Sequence, residues 1–462
     1  MTRQARSRPA SLAAAGSVAV LASAATVVTA AHRWWPNVTL LFAVLTVGAV
    51  AWLVTRTPQG PRALPGLLVV AAACQVPGLL SAPITSTDAY RYVWDGRVQL
   101  SGSSPYSHVP LDDALADLRD PVLFPGLSPA DRSWIAGPPR VPDDPTALAA
   151  LSADDPRTRI NRPRVPTIYP PVAQAFFAAV ALVTPWPAGT FGLQLAAAIL
   201  AVMITALLIN ALRRSGRDPR WAVLWGWSPI VALEAGNAAH VDVLAAAFVV
   251  GAVVVATRSR PLLAGLLLGA AAAVKLLPML LIPAFVRRGG MKTSLATVGT
   301  FLTSYVPHLL AAGTLVLGFL PGYLGQEGFS DGRSRSALLA LVLPAEARQV
   351  VVAVTAAGLA LVVILLRDRV TIAVASCWLY GGALLLTTPT YPWYGIPLIA
   401  LAVLAQRYEW IAVPLAAYLA YAGFGHDTRQ GLAYLGAGAV VLIASLVRRT
   451  AHEHRLPRQP AT

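Results

Sequence analysis

The sequence predicts an all-α polytopic membrane protein, and three observations carry that prediction. Only 12% of the 462 residues are charged, about half the share of a soluble domain. The apolar residues fall in solid blocks near 20 residues long. At 1.5 Å per residue such a block crosses a hydrocarbon core of about 30 Å, and the absence of alternation argues for helices over a barrel. The cations are also segregated. The two chain ends and the short loops hold twenty-one of them, among them Arg56, Arg62, Arg213, Arg214, Arg217, Arg220, Arg258, Arg260, Arg287, Arg288, Lys292, Arg367, Arg369 and Arg407, against four acids (Asp218, Asp368, Glu409 and Glu453). That is the positive-inside pattern, so these loops are assigned to the cytoplasm. The net charge of +15 therefore reports membrane orientation, and no nucleic-acid partner is expected.

The elements follow in order. Residues 11–31 read as a retained helix, followed by helices 38–55 and 63–82. Residues 1–62 thus form a cytoplasmic N-terminus and two helices, ahead of a region at 63–320. The third helix emerges outside, so 83–167 is an extracytoplasmic loop. It carries eleven aspartates and no apolar run. A loop that long in a compact protein is usually functional or disordered. Residues 170–184 read as an interfacial helix, begun by Pro170 and Pro171 and bounded by Tyr169 and Trp186. A full crossing there would leave "RRSGRDPR" outside. The span 190–212 returns inward, 221–235 goes out and 240–257 comes back, with "GNAAHVD" as the outer turn between the last two. The run 261–286 has cations at both ends, which predicts a re-entrant hairpin broken near "VKLLP". Helix 294–318 goes out, and an outer loop at 321–349 follows. Spans at 350–366, 370–387, 392–405, 411–424 and 430–447 complete the 321–462 region. The expectation is about 12–13 transmembrane helices with both termini cytoplasmic. Cys74 and Cys377 lie in apolar runs and read as buried single thiols.

Charged groups in or beside spans need a reason. They collect at the outer ends: Asp88, Glu234, Asn237, His240 and Asp242, with Tyr169 and the aromatic run Tyr391, Trp393 and Tyr394. Asp88 opens "DAYRYVWDGRVQLSGSSPY". It is either a general base, taking a proton from an acceptor hydroxyl, or the cap of a short helix. Arg91 shares a helix face with Asp88 and Asp95. It binds a phosphate, neutralises Asp88 or pairs with Asp95. Tyr90, Tyr92 and Trp94 either stack on a sugar or anchor at the interface. Lys275 is one of only two lysines and lies mid-run. It reaches a lipid-linked phosphate, or it pairs with backbone at a helix break. His240 and Asp242, two residues apart, are too sparse for a metal site. No cofactor is assigned, and a divalent cation stays open.

No P-loop or glycine fingerprint is present. A base, a cation and aromatic platforms at an outer face suit a sugar activated by a lipid phosphate. Its leaving group needs Lys or Arg, and one carboxylate suffices for an inverting displacement. The ordered series "DAYRYVWDGRVQLSGSSPY", "TIYPPVAQAFFAA", "LWGWSPIVALEAGNAAHVDVL", "AAAVKLLPMLLIP" and "TPTYPWYGIPL" resembles bacterial polyprenyl-phosphate-mannose-dependent mannosyltransferases of the C-type membrane glycosyltransferase (GT-C) superfamily, over about residues 80–405. The resemblance implies a GT-C-like bundle in the cell membrane, with Asp88 as base. It also implies a polyprenyl-phospho-sugar donor seated by the "YPP" helix and the "VKLLP" break, and a lipid or glycan acceptor. The family's Asn-Gly-His-Asn-Asp insert is matched in part, at His240 and Asp242. The rival reading is a flippase for lipid-linked glycans. A carrier places its polar residues near the bilayer midplane, where only Lys275 falls.

Overall fold

The computed structural model describes residues 8–31, 35–56, 63–137, 141–286, 290–329, 335–422 and 427–453. Arg3, Arg6, Arg62, Arg287, Arg288, Arg455, Arg458 and both termini lie outside them. The protein is 73% helical. Among the described residues the only β pairing is an isolated bridge between Asp112 and Ile135.

Helices α1 (Arg8–Ala31) and α2 (Trp35–Arg56) form a hairpin, and α1 also packs on α3 (Leu64–Leu79). The long loop opens with α4 (Asp88–Leu100) and later contains α5 (Pro145–Leu151). Next come α6 (Pro171–Val183) and α7 (Phe191–Arg214). Helix α6 has 13 residues, about 20 Å of helix, too short to cross a core of about 30 Å. It lies against α4 instead. Gly96 makes that approach possible, because a Cβ there would meet the Phe177 carbonyl oxygen at 2.5 Å.

The chain then climbs through α8 (Val223–Gly226), α9 (Pro229–Val231) and a π-helical turn, Ala232–Asn237. It bends by 118° into α10 (Asp242–Ala256). Gly78 of α3 packs backbone to backbone on that π turn, with a would-be Cβ 2.7 Å from the Asn237 nitrogen.

The broken hairpin is present. Helix α11 (Pro261–Ala272) rises beside α10 and stops short of Lys275, and a 3-10 segment, Leu277–Phe285, brings the chain back toward Gly290. Helix α12 (Gly290–Ala312) rises beside α11, with Thr293 Oγ1 donating to the Pro261 carbonyl at 3.1 Å. Helices α13 (Leu320–Gln326) and α14 (Ala337–Ala340) build the second loop. Then come α15 (Ala345–Leu365), α16 (Ile372–Leu386), α17 (Ile396–Ala405), α18 (Ala412–Ala422) and α19 (Asp427–Glu453).

Burial sorts these helices by role. Every residue of α17 is apolar and buried, as expected of a helix that is hydrophobic all round at the centre of a bundle. It packs on α7, α10 and α16. Helix α15 is apolar over most of its length, yet Val350, Val354, Leu361 and Leu365 are exposed. An apolar helix with nothing to bury against faces lipid. Among the described residues five helices are long and apolar enough to cross a membrane, six if the bent 229–256 pair counts as one span. The protein is thus a multi-pass membrane protein. The sequence count of 12–13 spans is not built as that many continuous helices. Prolines and breaks divide several of the apolar runs into helices of 10–17 residues.

Candidate active site

The long loop is ordered chiefly by its own aspartates. Asp112, Asp120 and Asp144 accept from the backbone N–H groups of Ala114, Val122 and Ala147 at 2.7–2.9 Å. The Ser133 hydroxyl and backbone N–H hold Asp113 well below the usual carboxylate range. Hydrogen bonds and charge from Arg157, with the charge of Arg164, hold Asp155 down at about 2. Most of the acidic content of residues 83–167 therefore shapes turns.

Two aspartates on α4 differ from these and from each other. Asp95 is fully buried. Its Oδ1 accepts from Arg91 Nε at 3.0 Å and its Oδ2 from Gln174 Nε2 at 2.9 Å. Arg91 also donates from Nη1 and Nη2 to the carbonyls of Arg162 and Val165. Of its possible roles, Arg91 takes the pairing with Asp95. Asp88, at the first position of α4, keeps 17% of its side chain exposed. Asn161 Nδ2 donates to its Oδ1 at 2.5 Å, and its Oδ2 lies 4.0 Å from His240 Nε2. Asp88, Arg91, Asn161, Arg162, Tyr169 and Phe319 line one small cavity.

The π turn aims the next layer. His240 is buried, with Nδ1 2.8 Å from Glu234 Oε2. An ionised carboxylate only accepts, so Nδ1 carries the proton and Nε2 is left as acceptor for the Ser86 hydroxyl, 2.9 Å away. Ser86 Oγ in turn accepts the Asp88 backbone N–H. Glu234 also accepts from the hydroxyls of Tyr418 and Thr85. Ala239, just before His240, has a φ of +54°. That left-handed residue turns the chain so that the His240 N–H reaches the Glu234 carbonyl at 2.9 Å.

Lys275, at the hairpin tip, meets both carboxylate oxygens of Asp242 at 2.7 and 2.8 Å and keeps 22% of its side chain exposed. Its ammonium lies 3.9 Å over the Tyr394 ring, a cation–π contact. Trp393 stacks on His240 on one side and on Tyr391 on the other. The Tyr391 hydroxyl donates to Glu327, which also pairs with Arg162 at 3.6 Å and with Arg335. The two loops thus close on one another above the aromatic run.

Of the residues expected from sequence, Asp88, Tyr169, His240, Asp242, Lys275, Tyr391, Trp393 and Tyr394 form one connected group. The others support it from within. Tyr90 is buried, with Arg159 5.8 Å over its ring, and Trp94 is buried edge-on to Phe124. Asn237 is buried and ties the end of α3 to the loop, bonding Ile84, Ser81 and Ala82. Asn161, Arg162, Ser86, Tyr418 and Glu327 are additions that only the fold brings to the site. Among the described residues no group of three or more His, Cys, Asp or Glu side chains is arranged to hold a metal ion.

A family model described as Glycosyltransferase family 87 matches residues 167–389, which include His240, Asp242 and Lys275. A second, described as Alpha-(1->6)-mannopyranosyltransferase, N-terminal domain, matches residues 8–122, which include Asp88. The chain is a membrane mannosyltransferase of the GT-C type. No curated protein and no solved structure gives a match. The second family model runs across the expected boundary at residue 62, so α1 and α2 fall inside the matched region of this mannosyltransferase. Asn161 falls between the two matched regions, and Tyr391, Trp393 and Tyr394 lie just past the second of them in the chain.

Proposed function

We propose that the enzyme transfers mannose from a polyprenyl-phosphate donor to a hydroxyl of a lipid or glycan acceptor at the extracytoplasmic face, with inversion and with Asp88 as general base. The acceptor hydroxyl gives its proton to Asp88 as its oxygen bonds to the anomeric carbon. The bond from that carbon to the phosphate oxygen breaks, and polyprenyl phosphate leaves with the electron pair. The observation that carries this reading is Asp88 itself. It is a partly exposed carboxylate held by a neutral amide, with no Lys or Arg paired to it among the described residues, at the wall of a cavity. That environment leaves it free to take a proton.

Lys275, at the tip of the hairpin with 22% of its side chain exposed, is the cation for the leaving phosphate. Arg162, 28% exposed and lining the Asp88 cavity, supplements it. Arg91 lines the same cavity and gives three of its donors to protein acceptors. Tyr169, Tyr391, Trp393 and Tyr394 offer faces for the sugar. Tyr90, Trp94, Asp95, Asn237, His240 and Asp242 hold these groups in place. The extracytoplasmic assignment draws support from the arginines at the ends of α7 and α10 remote from the site.

The test is an assay of purified protein in lipid, with labelled polyprenyl-phospho-mannose set against a nucleoside-diphosphate mannose. Transfer is expected only from the lipid donor, and the product anomer, read by NMR, is opposite to that of the donor. Transfer from the nucleotide sugar, or retention, defeats the reading. Cysteines placed at Ser104 and Ser215 test the face: an impermeant reagent added from outside labels the first only.

A further inference from the structure

We propose a second binding site in the mannosyltransferase, for the phosphate headgroup of an anionic phospholipid. It lies at the end of the bundle remote from Asp88 and does not depend on the reaction assigned above. Helix α7 begins at the active-site end, where Gln194 Nε2 donates to the Asn237 carbonyl at 2.8 Å. It runs about 30 Å to Arg214. There the ends of α7, α10, α16 and α17 enclose a cavity of about 500 Å³, within the 300–1,000 Å³ range of ligand pockets.

The lining is two-part. Arg214, Arg217 and Arg258 stand with the hydroxyl residues Ser215, Thr257 and Thr371 at the polar side. Leu212, Val253, Val254 and Leu404 form the apolar side.

Three features make this more than a basic loop. The acids of this face are already taken: Asp218 pairs with Arg220 at 2.6 Å, Asp368 with Arg367 at 3.7 Å and Glu409 with Arg448. Among the described residues no carboxylate pairs with Arg214, Arg217 or Arg258, so the cavity carries uncompensated positive charge. Two of the three guanidinium groups are held in place. Arg217 Nη1 donates to the Leu404 carbonyl at 3.0 Å and Arg214 Nε to Asn210 Oδ1 at 3.1 Å. Each keeps further N–H donors of its fork for a phosphate. Finally, the cavity sits where a membrane-spanning helix ends, and the α7 face leading to it exposes Leu195, Ile199 and Met203. Anchored guanidinium groups above an apolar wall, at the rim of the bilayer, match a phosphate that carries acyl chains. A soluble phosphate would leave the apolar wall unused. Basic pockets between spans are a known form of lipid headgroup recognition.

The test is native mass spectrometry of the full chain in detergent, titrated with phosphatidylglycerol, with phosphatidylcholine of the same chains and with inorganic phosphate. One saturable phosphatidylglycerol adduct is expected, retained about tenfold better than phosphatidylcholine. The combined variant R214Q/R217Q/R258Q loses that preference. The pair R213Q/R260Q, which removes charge beside the cavity but not in it, keeps it. The single variant R258Q, on an exposed side chain, gives a partial loss even if the triple variant folds poorly. Undiminished binding by the triple and single variants, or an equal loss in R213Q/R260Q, overturns the site. Displacement of the lipid by millimolar inorganic phosphate overturns the lipid as its ligand.

Discussion

The start and the middle of α4 carry the same side chain in opposite circumstances. Asp95, in the middle of the helix, is sealed from solvent, and both its oxygens are taken, one by the Arg91 guanidinium and one by a Gln174 amide. Asp88, two turns earlier, is partly open, accepts from a neutral amide and has a histidine 4.0 Å away. A buried carboxylate with a cation on it is a strut. A partly open one without a cation is available for chemistry. Residue type and helical spacing are shared, so the difference comes wholly from what the loop and the bundle set around each.

Four substitutions or conditions break or sharpen that contrast. The largest effect belongs to Asp88→Asn: turnover falls by about 10³-fold, within the 10²–10⁴ typical of an acid–base group, while thermal stability stays near wild type. Wild-type turnover in this variant removes Asp88 from the chemistry. Asp95→Asn should show the reverse. It leaves a buried guanidinium without its charge partner, at a cost of about 3–5 kcal/mol, while the folded fraction keeps its kcat. A stable Asp95→Asn protein with lost turnover would erase the distinction between the two aspartates. Glu234→Gln is expected to lower kcat by about tenfold, less than a direct acid–base group, because a glutamine amide no longer dictates which ring nitrogen of His240 carries the proton. An unchanged kcat and pH profile would show His240 to be packing only.

The smallest effect is a pH dependence. Asp155 sits at about 2 in the folded loop against an ordinary 3.8. Its stabilisation is therefore fully present above about pH 4 and is lost as pH falls toward 2. Limited proteolysis of the 83–167 loop should accelerate over that window, and Asp155→Asn should flatten the acceleration.

Much of this arrangement was legible in the sequence, for identifiable reasons. Asp88, His240 and Asp242 at the edges of apolar runs, and Lys275 in the middle of one, are costly residues, and the cost itself marks them. The shortness of α6 and the hairpin around Lys275 followed from where cations sit. What was not legible lies in contacts with no sequence period. Asn161 reaches Asp88 from 73 residues away, out of a loop with no repeating pattern. The π turn that aims Glu234 at His240 has no helical or strand signature, because its extra residue per turn depends on how α3 packs at Gly78. The pairing of Lys275 with Asp242 spans 33 residues and needed the fold. Several expected spans are built as helices of 10–17 residues, because prolines and breaks interrupt apolar runs that read as continuous.

The Lys275–Asp242 pair has one more consequence for the proposed reaction. An ammonium already clasped by a carboxylate gives the empty site a balanced charge, so stray anions gain little by settling there. An arriving donor must win that ammonium from Asp242. Once the sugar has gone, the same carboxylate is waiting to reclaim it, which loosens the spent carrier's hold and readies the pocket for the next round.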